Sequence, residues 1–304
     1  MESIEAAIGF IGGPGRALVL LGFFFGIVVL ERLWALRRSP NYSDADALCS
    51  IGLFFVAVVL NLGVVYLVPL ALYALVFDNF RVIETMPIWA AIPIAVVVHD
   101  FAYYWDHRLA HRIGLLWAFH SIHHSSNEFN HSTAARTFVL DGQLKVFFAM
   151  PAALLGVDPV IYIGVVVLCN LYGIWNHGSW VPRNAWLSRV LITPETHKVH
   201  HGTQSHYIDR NFAEVTVIFD RLFGTFMSIK EEPEVGLVNR VDDNNPLTAQ
   251  FVGLRQLKAR MDRADSWGDK LAYLWRPPEW SHDGAPCPHE ASADEGRLAA
   301  GATP

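Results

Sequence analysis

The stretch MPIWAAIPIAVVVHDFAYYWDHRLAH, residues 86–111, decides the fold: an uncharged run over residues 86–98 passes straight into a segment bearing His99, His107 and His111. His107 and His111 are four residues apart. On a helix that continues the apolar run they project from one face, as a bidentate pair for a metal. A helix that crosses about 30 Å of hydrocarbon needs roughly 20 apolar residues, and three more stretches approach that length. Residues 17–30 carry no charge and extend through Glu31 and Arg32 to Leu36, with those two long side chains expected to snorkel at the interface. Residues 47–77 carry no charge at all. As one helix they would measure about 46 Å, which predicts a strong tilt, a bend at Pro69, or an end projecting beyond the bilayer. Residues 146–175 are interrupted by Gly156, Asp158 and Pro159, which predicts two half-length helices or a hairpin.

The expected architecture is all-α and integral to a membrane, with about four transmembrane helices or helical hairpins and a cytoplasmic histidine-rich helical cap. Composition agrees: of 304 residues 52% are hydrophobic and 17% charged, against about a quarter charged in soluble domains, and the mean hydropathy is +0.27. A net charge of -6 leaves no basic footprint for nucleic acid. Cys49, Cys169 and Cys287 are too widely spaced for a CxxC metal site, an iron–sulfur cluster or a disulfide framework. Glu2 and Glu5 stand where a secretory signal has basic residues, so the first apolar helix is read as retained. Arg32, Arg37 and Arg38 place the first loop in the cytoplasm, and counting spans from there puts the histidine-rich region on the cytoplasmic face, with a bacterial inner membrane the expected location.

The expected organisation is residues 1–85 as N-terminal transmembrane helices, 86–230 as the catalytic region, 231–280 as a cytoplasmic extension and 281–304 as a mobile tail. Residues 254–261 read as a short amphipathic surface helix, and the aromatic-rich residues 267–280 as packing on the body or the interface.

Twelve of the fourteen histidines lie between His99 and His206. Beyond His107 and His111 they form HSIHH, with His120, His123 and His124, and HKVHH, with His197, His200 and His201. In both pentapeptides the i and i+3 members are expected to share a helical face while the adjacent member points elsewhere, toward a second metal. Burying this many ionisable rings beside a membrane without metal or dense hydrogen bonding is costly. Eight nitrogen ligands exceed what one four- to six-coordinate ion uses. The set therefore implies two metals, or one with a large outer layer, and neutral imidazole suits iron, zinc, copper and nickel alike. Asp100, Asp106 and Asn176 could receive the outer N–H of a ligand ring, His99, His131 and His206 an outer-layer or surface role, and Arg108 a carboxylate or lipid headgroup. Tyr103, Tyr104, Trp105, Trp117 and Trp175 read as interface and core aromatics, and Asp209, Arg210, Asn211, Asp220 and Arg221 as salt bridges locking the cap. A metal transporter would distribute ionisable residues along its spans, and a zinc hydrolase would pair few histidines with a carboxylate base. The spans are nearly free of ionisable residues and no HExxH occurs, so a metal transporter and a zinc hydrolase stand as the lesser alternatives.

The order HRxxH, HxxHH, HxxHH with apolar segments between resembles the fatty acid hydroxylase/sterol desaturase superfamily of integral-membrane di-iron oxygenases, over about residues 90–226. DFAYYWDHRLAH, WAFHSIHHSSNEFNHSTAAR, TPETHKVHHGTQSHYIDRNF and FDRLFGTF look most like its alkylglycerol monooxygenase and bacterial sterol-desaturase-like branch. The resemblance implies that His107, His111, His120, His123, His124, His197, His200 and His201 are metal ligands, and that His177, in WNHG, joins them. Some members have a further histidine four residues on; Val181 stands there. It further implies two iron ions and O2-dependent hydroxylation of an acyl, alkyl or sterol C–H bond, with desaturation as the alternative. The chain shows no Rossmann glycines, haem extension or cysteine cluster, so electrons are expected from an external donor: cytochrome b5, ferredoxin or a reduced pterin.

Overall fold

The computed structural model describes residue 9 and residues 14–39, 42–61 and 64–284; most of the expected tail lies outside the described residues. Every regular element among them is helical. The apolar stretches become α1 (Pro14–Arg38), α2 (Asp44–Asn61), α3 (Val64–Phe80), α4 (Ile88–Arg112), α6 (Lys145–Leu155) and α7 (Pro159–Trp175). The cap adds α5 (Gly114–His120), α8 (Pro194–His200) and α9 (Ile218–Leu222), with 3-10 turns at His123–Ser125, His131–Ala135 and Leu187–Arg189; α10 (Pro246–Ala249), α11 (Val252–Asp262) and α12 (Trp267–Trp275) follow.

Residues 47–77 divide between α2 and α3, and Pro69 lies within α3 instead of bending one long helix. Residues 146–175 divide as expected. Gly156 closes α6 in the left-handed region at φ 96°, where a Cβ would meet the Ile83 carbonyl oxygen at 2.2 Å, and the Asp158 carboxylate caps α7 through Val160 N with Pro159 in the first turn. Among the described residues one helix, α4, is long and apolar enough to cross a membrane; α3, α6 and α7 are shorter apolar helices.

The main core lies between α3, α4, α6 and α7. Ala95 and Ala102 on α4 and Ala149, Ala152 and Ala153 on α6 let these backbones approach closely, and Tyr73 stacks on Tyr162 while donating to the Val157 carbonyl. A second core packs α11 and α12 onto α5 through Ala118, Leu257, Ala264 and Tyr273. Residues 254–261 thus lie in a short helix as expected, and the aromatic segment packs on the body through Tyr273 with Trp267 and Trp275 left outward. Glu31 departs from expectation. It is fully buried, not snorkelled, because three donors from two loops of the cap converge on its carboxylate.

Candidate metal centre

Helix α4 runs unbroken from its apolar half through His99 to Arg112, which carries His107 and His111 on one face to the cap. Helix α5 ends at His120, and the chain tightens into the 3-10 turn that holds His123 and His124. His177 follows the end of α7. His197 and His200 belong to α8, which a capping box between Thr193 and Thr196 and a first-turn Pro194 start in place, and His201 closes it.

Nine histidines meet in two groups, each with its ligand atoms within 4.8 Å of one another: His107, His111, His120, His124 and His200, then His123, His177, His197 and His201. All are buried except the partly exposed His123. The division within each pentapeptide is the reverse of the expectation. His120 and His124, and His197 and His201, stay together at i, i+4, while His123 and His200, at i+3, cross to the other group. At 100° per residue i+3 falls about 60° behind i and i+4 about 40° ahead. A boundary between two sites set on that arc separates them, and the tightening at His123–Ser125 sharpens the turn.

Hydrogen bonds aim the rings. Nδ1 of His107 donates to the Phe212 carbonyl at 2.8 Å, His200 to Arg210 at 2.7 Å, His123 to Arg136 at 3.2 Å and His177 to Gly173 at 2.8 Å. His120 Nδ1 lies 3.0 Å from Asp141 and His111 Nδ1 3.3 Å from Asp209. A carbonyl or carboxylate oxygen can only accept, so these Nδ1 atoms carry the protons and, in neutral rings, each Nε2 presents a lone pair. Those lone pairs face one another: His107 and His120 Nε2 are 3.0 Å apart, His177 and His123 3.3 Å, and the buried Nε2 of His111 has no hydrogen-bond partner. Protonation does not relieve the clash, because burial holds His123, His124, His197, His200 and His201 well below the ordinary histidine range and lowers His177 to about 4. Lone pairs packed this closely fit a cation, and the all-nitrogen donor set suits a transition metal.

The carboxylates at the rings are those that sequence reading missed or gave another task. Burial alone would raise Asp141 and Asp209, but His120 and His111 respectively hold them below the ordinary carboxylate value. Asp141 has no periodic relation to the histidine motifs. Of the cap residues expected to form salt bridges, Asp209 pairs with Arg112 at 3.1 Å. Arg210 supplies a carbonyl, Asn211 bonds the backbone of Thr196 and Met227, and Asp220 accepts from the Phe212 and Ala213 amides. Trp117 packs on the rings of His111 and His124 at 4.9 and 5.5 Å, so it forms part of the wall of the site.

The expected outer partners serve elsewhere. Asp100 accepts from the amides of Glu214, Val215 and Thr216 and from the Thr216 hydroxyl. His99 pairs with Glu214 at 2.8 Å, and Asn176 donates to the Glu214 carbonyl. All three fasten one segment between α4 and α7 because those helices flank it, and their bonds do not go to the grouped rings. Asp106 accepts from Leu144 N, and Arg108 donates to Tyr104. His131 is fully buried against Glu31, and His206 is half-buried near Glu231.

Residues 92–225, which hold all nine grouped histidines, match the model of the fatty acid hydroxylase family. These residues form a fatty acid hydroxylase domain. Across a wider span the chain is similar to alkylglycerol monooxygenase from Homo sapiens, 31% identical over 266 residues, covering 85% of this chain and 58% of the relative. It is also similar to the ornithine lipid hydroxylase OlsE of Rhizobium tropici, 26% identical over 69% of this chain and 64% of that one. The Delta(7)-sterol 5(6)-desaturase erg31 of Schizosaccharomyces pombe is 22% identical over 55% and 53%. The chain thus spans less than two thirds of the length of these relatives. No solved structure gives a significant match. The domain boundary falls early in α4, so α1, α2 and α3 lie outside the fatty acid hydroxylase match.

Proposed function

We propose that the chain is a membrane-embedded, O2-dependent di-iron oxidoreductase that hydroxylates an unactivated C–H bond of an acyl, alkyl or sterol lipid. The observation that carries this reading is the convergence of imidazoles with opposed Nε2 atoms, in adjacent groups of five and four, inside a fatty acid hydroxylase domain. The named activities of the relatives, lipid hydroxylation and monooxygenation, support it.

Iron held by His107, His111, His120, His124 and His200 and by His123, His177, His197 and His201 supplies dioxygen chemistry that no side chain can perform on a hydrocarbon. The chain's own residues do the rest. The Nδ1 anchors of His107, His111, His120, His123, His177 and His200 fix those six rings before any ligand arrives, which is the preorganisation such a site needs. Burial of eight of the nine rings keeps water away, while His123 remains partly open. Hydroxylation consumes R–H, O2, two electrons and two protons to give R–OH and water, so the chain needs a donor; we assign this to an external cytochrome b5, ferredoxin or reduced pterin.

The membrane reading rests on where apolar side chains point. Val29, Leu30 and Leu33 of α1, Trp89 and Val97 of α4, Phe147 of α6 and Leu168 of α7 are all exposed; an apolar surface of this extent needs a lipid solvent. Arg37 and Arg38 close α1, and the positive-inside rule supports a cytoplasmic position for that end and the metal centre beside it, with a bacterial inner membrane the proposed location.

The test is mass spectrometry of total lipids from cells expressing the wild type or His200→Ala under 18O2. The expected result is a lipid that gains one labelled oxygen only with the wild type. Loss of two hydrogens without label would make the enzyme a desaturase. An unchanged lipid profile in cells supplied with a competent donor overturns the reading.

A further inference from the structure

Helix α1 lies outside the fatty acid hydroxylase match, yet it sends one carboxylate into the cap. Glu31 has no solvent exposure. One oxygen accepts from the His131 backbone N–H at 2.7 Å, and the other from the Ser179 N–H at 3.0 Å and the Ser179 hydroxyl at 2.8 Å. The two residues belong to different loops, one leading on from HSIHH and the other following His177. The His131 ring also lies on this carboxylate, with Nδ1 2.9 Å from it. On its far side that ring fills the space beneath Gly178, where a Cβ would come within 2.8 Å of its Cε1 and Nε2. A buried carboxylate inside an apolar helix is expensive unless its partners are good and the position has a use.

That use follows from what the two loops carry. His177 is two residues before Ser179, and Phe129, two before His131, stacks on His177 at 5.6 Å and meets His201 at 5.4 Å. The anchors of the other group are Asp141, Asp209, Arg210 and Phe212, and all lie within the matched domain. We infer that Glu31 is a positioning residue for the group His123, His177, His197 and His201, so that α1 completes one metal site and leaves the other to the domain. The inference rests on the reading that both groups bind iron. Asp46 of α2 makes the contrast. It holds Arg136, whose carbonyl takes the His123 N–H, and Ser126, two residues beyond His124, so its loss disturbs both groups together.

The experiment uses the full chain purified in detergent, with iron measured per chain and a Mössbauer spectrum of the 57Fe-loaded protein. In Glu31→Ala the affinity of one site should fall about 10- to 100-fold, in the range for losing an outer partner. At limiting iron one ion then remains, and its spectrum is that of an isolated ion instead of a coupled pair. The retained iron reports that the chain folded. Glu31→Gln keeps an acceptor for Ser179 but turns an N–H toward the His131 N–H, so a smaller loss is expected; it carries the test if the alanine variant does not accumulate. Two irons and an unchanged coupled spectrum in Glu31→Gln, or equal loss of both irons from a monodisperse variant, overturns the inference. Fewer than two irons in the wild type instead overturns the di-iron reading beneath it.

Discussion

The two histidine groups use the same ring chemistry but are supported differently. In the group of five, His120 and His111 rest on the carboxylates of Asp141 and Asp209. In the group of four, the anchors of His123 and His177 are the backbone carbonyls of Arg136 and Gly173. A carboxylate partner makes an imidazole more basic and more electron-rich toward a metal than a carbonyl does, so the two sites are chemically unequal. The first carries the more negative surroundings. The second relies on neutral dipoles and on an outside strut.

The largest effect should come from the rings themselves. His200→Ala in one group or His201→Ala in the other is expected to abolish lipid oxidation and to lower bound iron, measured by elemental analysis; near-normal turnover in either would remove that residue from the site. A sharper probe of the inequality is Asp141→Asn. It should weaken metal binding about 10- to 100-fold in the group of five alone, so a titration with iron would show one weakened step and one unchanged.

Acid should act on the metal-free protein. His177 drops from an ordinary 6.5 to about 4 on burial, and the other grouped rings outside α4 with lowered values shift the same way, so the unfolded chain binds more protons than the folded one in that interval. Stability is therefore full above pH 6.5 and is lost as pH falls toward 4. Thermal melting of the chelated protein should show this decline, and a melting point flat between pH 7 and 5 would contradict the buried neutral rings. The smallest effect belongs to His206→Ala, a half-buried ring packed on Tyr207 beside Glu231. It should change stability by about 1 kcal/mol and leave iron content intact.

Sequence reading reached the helices because apolar runs and their breaks at Gly156, Asp158 and Pro159 are local signals. It reached eight of the grouped histidines for the same reason, and His177 through the family resemblance. It missed how HSIHH and HKVHH divide, since a helix face says which residues are near each other and not where a boundary between two sites falls. It also missed Asp141 and Glu31. Asp141 comes from a loop and Glu31 from a distant helix, and both are brought to the site by tertiary packing alone. Asp100, next to His99 in the most suggestive segment, binds backbone amides instead, because the chain at residues 214–216 crosses α4 at that point.

Residues 209–212 have a consequence for exchange. Asp209 and Asn211 adopt positive φ, 59° and 55°, an arrangement that costs about 1–3 kcal/mol each and is held by the Asn211 bonds to Thr196 and Met227. From this one tight segment come the Asp209 carboxylate for His111, the Arg210 carbonyl for His200 and the Phe212 carbonyl for His107. Three of five rings thus share a single latch. A fluctuation that lifts it frees them together, so an ion in that group should leave in one step, at the opening rate of the latch, and not ligand by ligand.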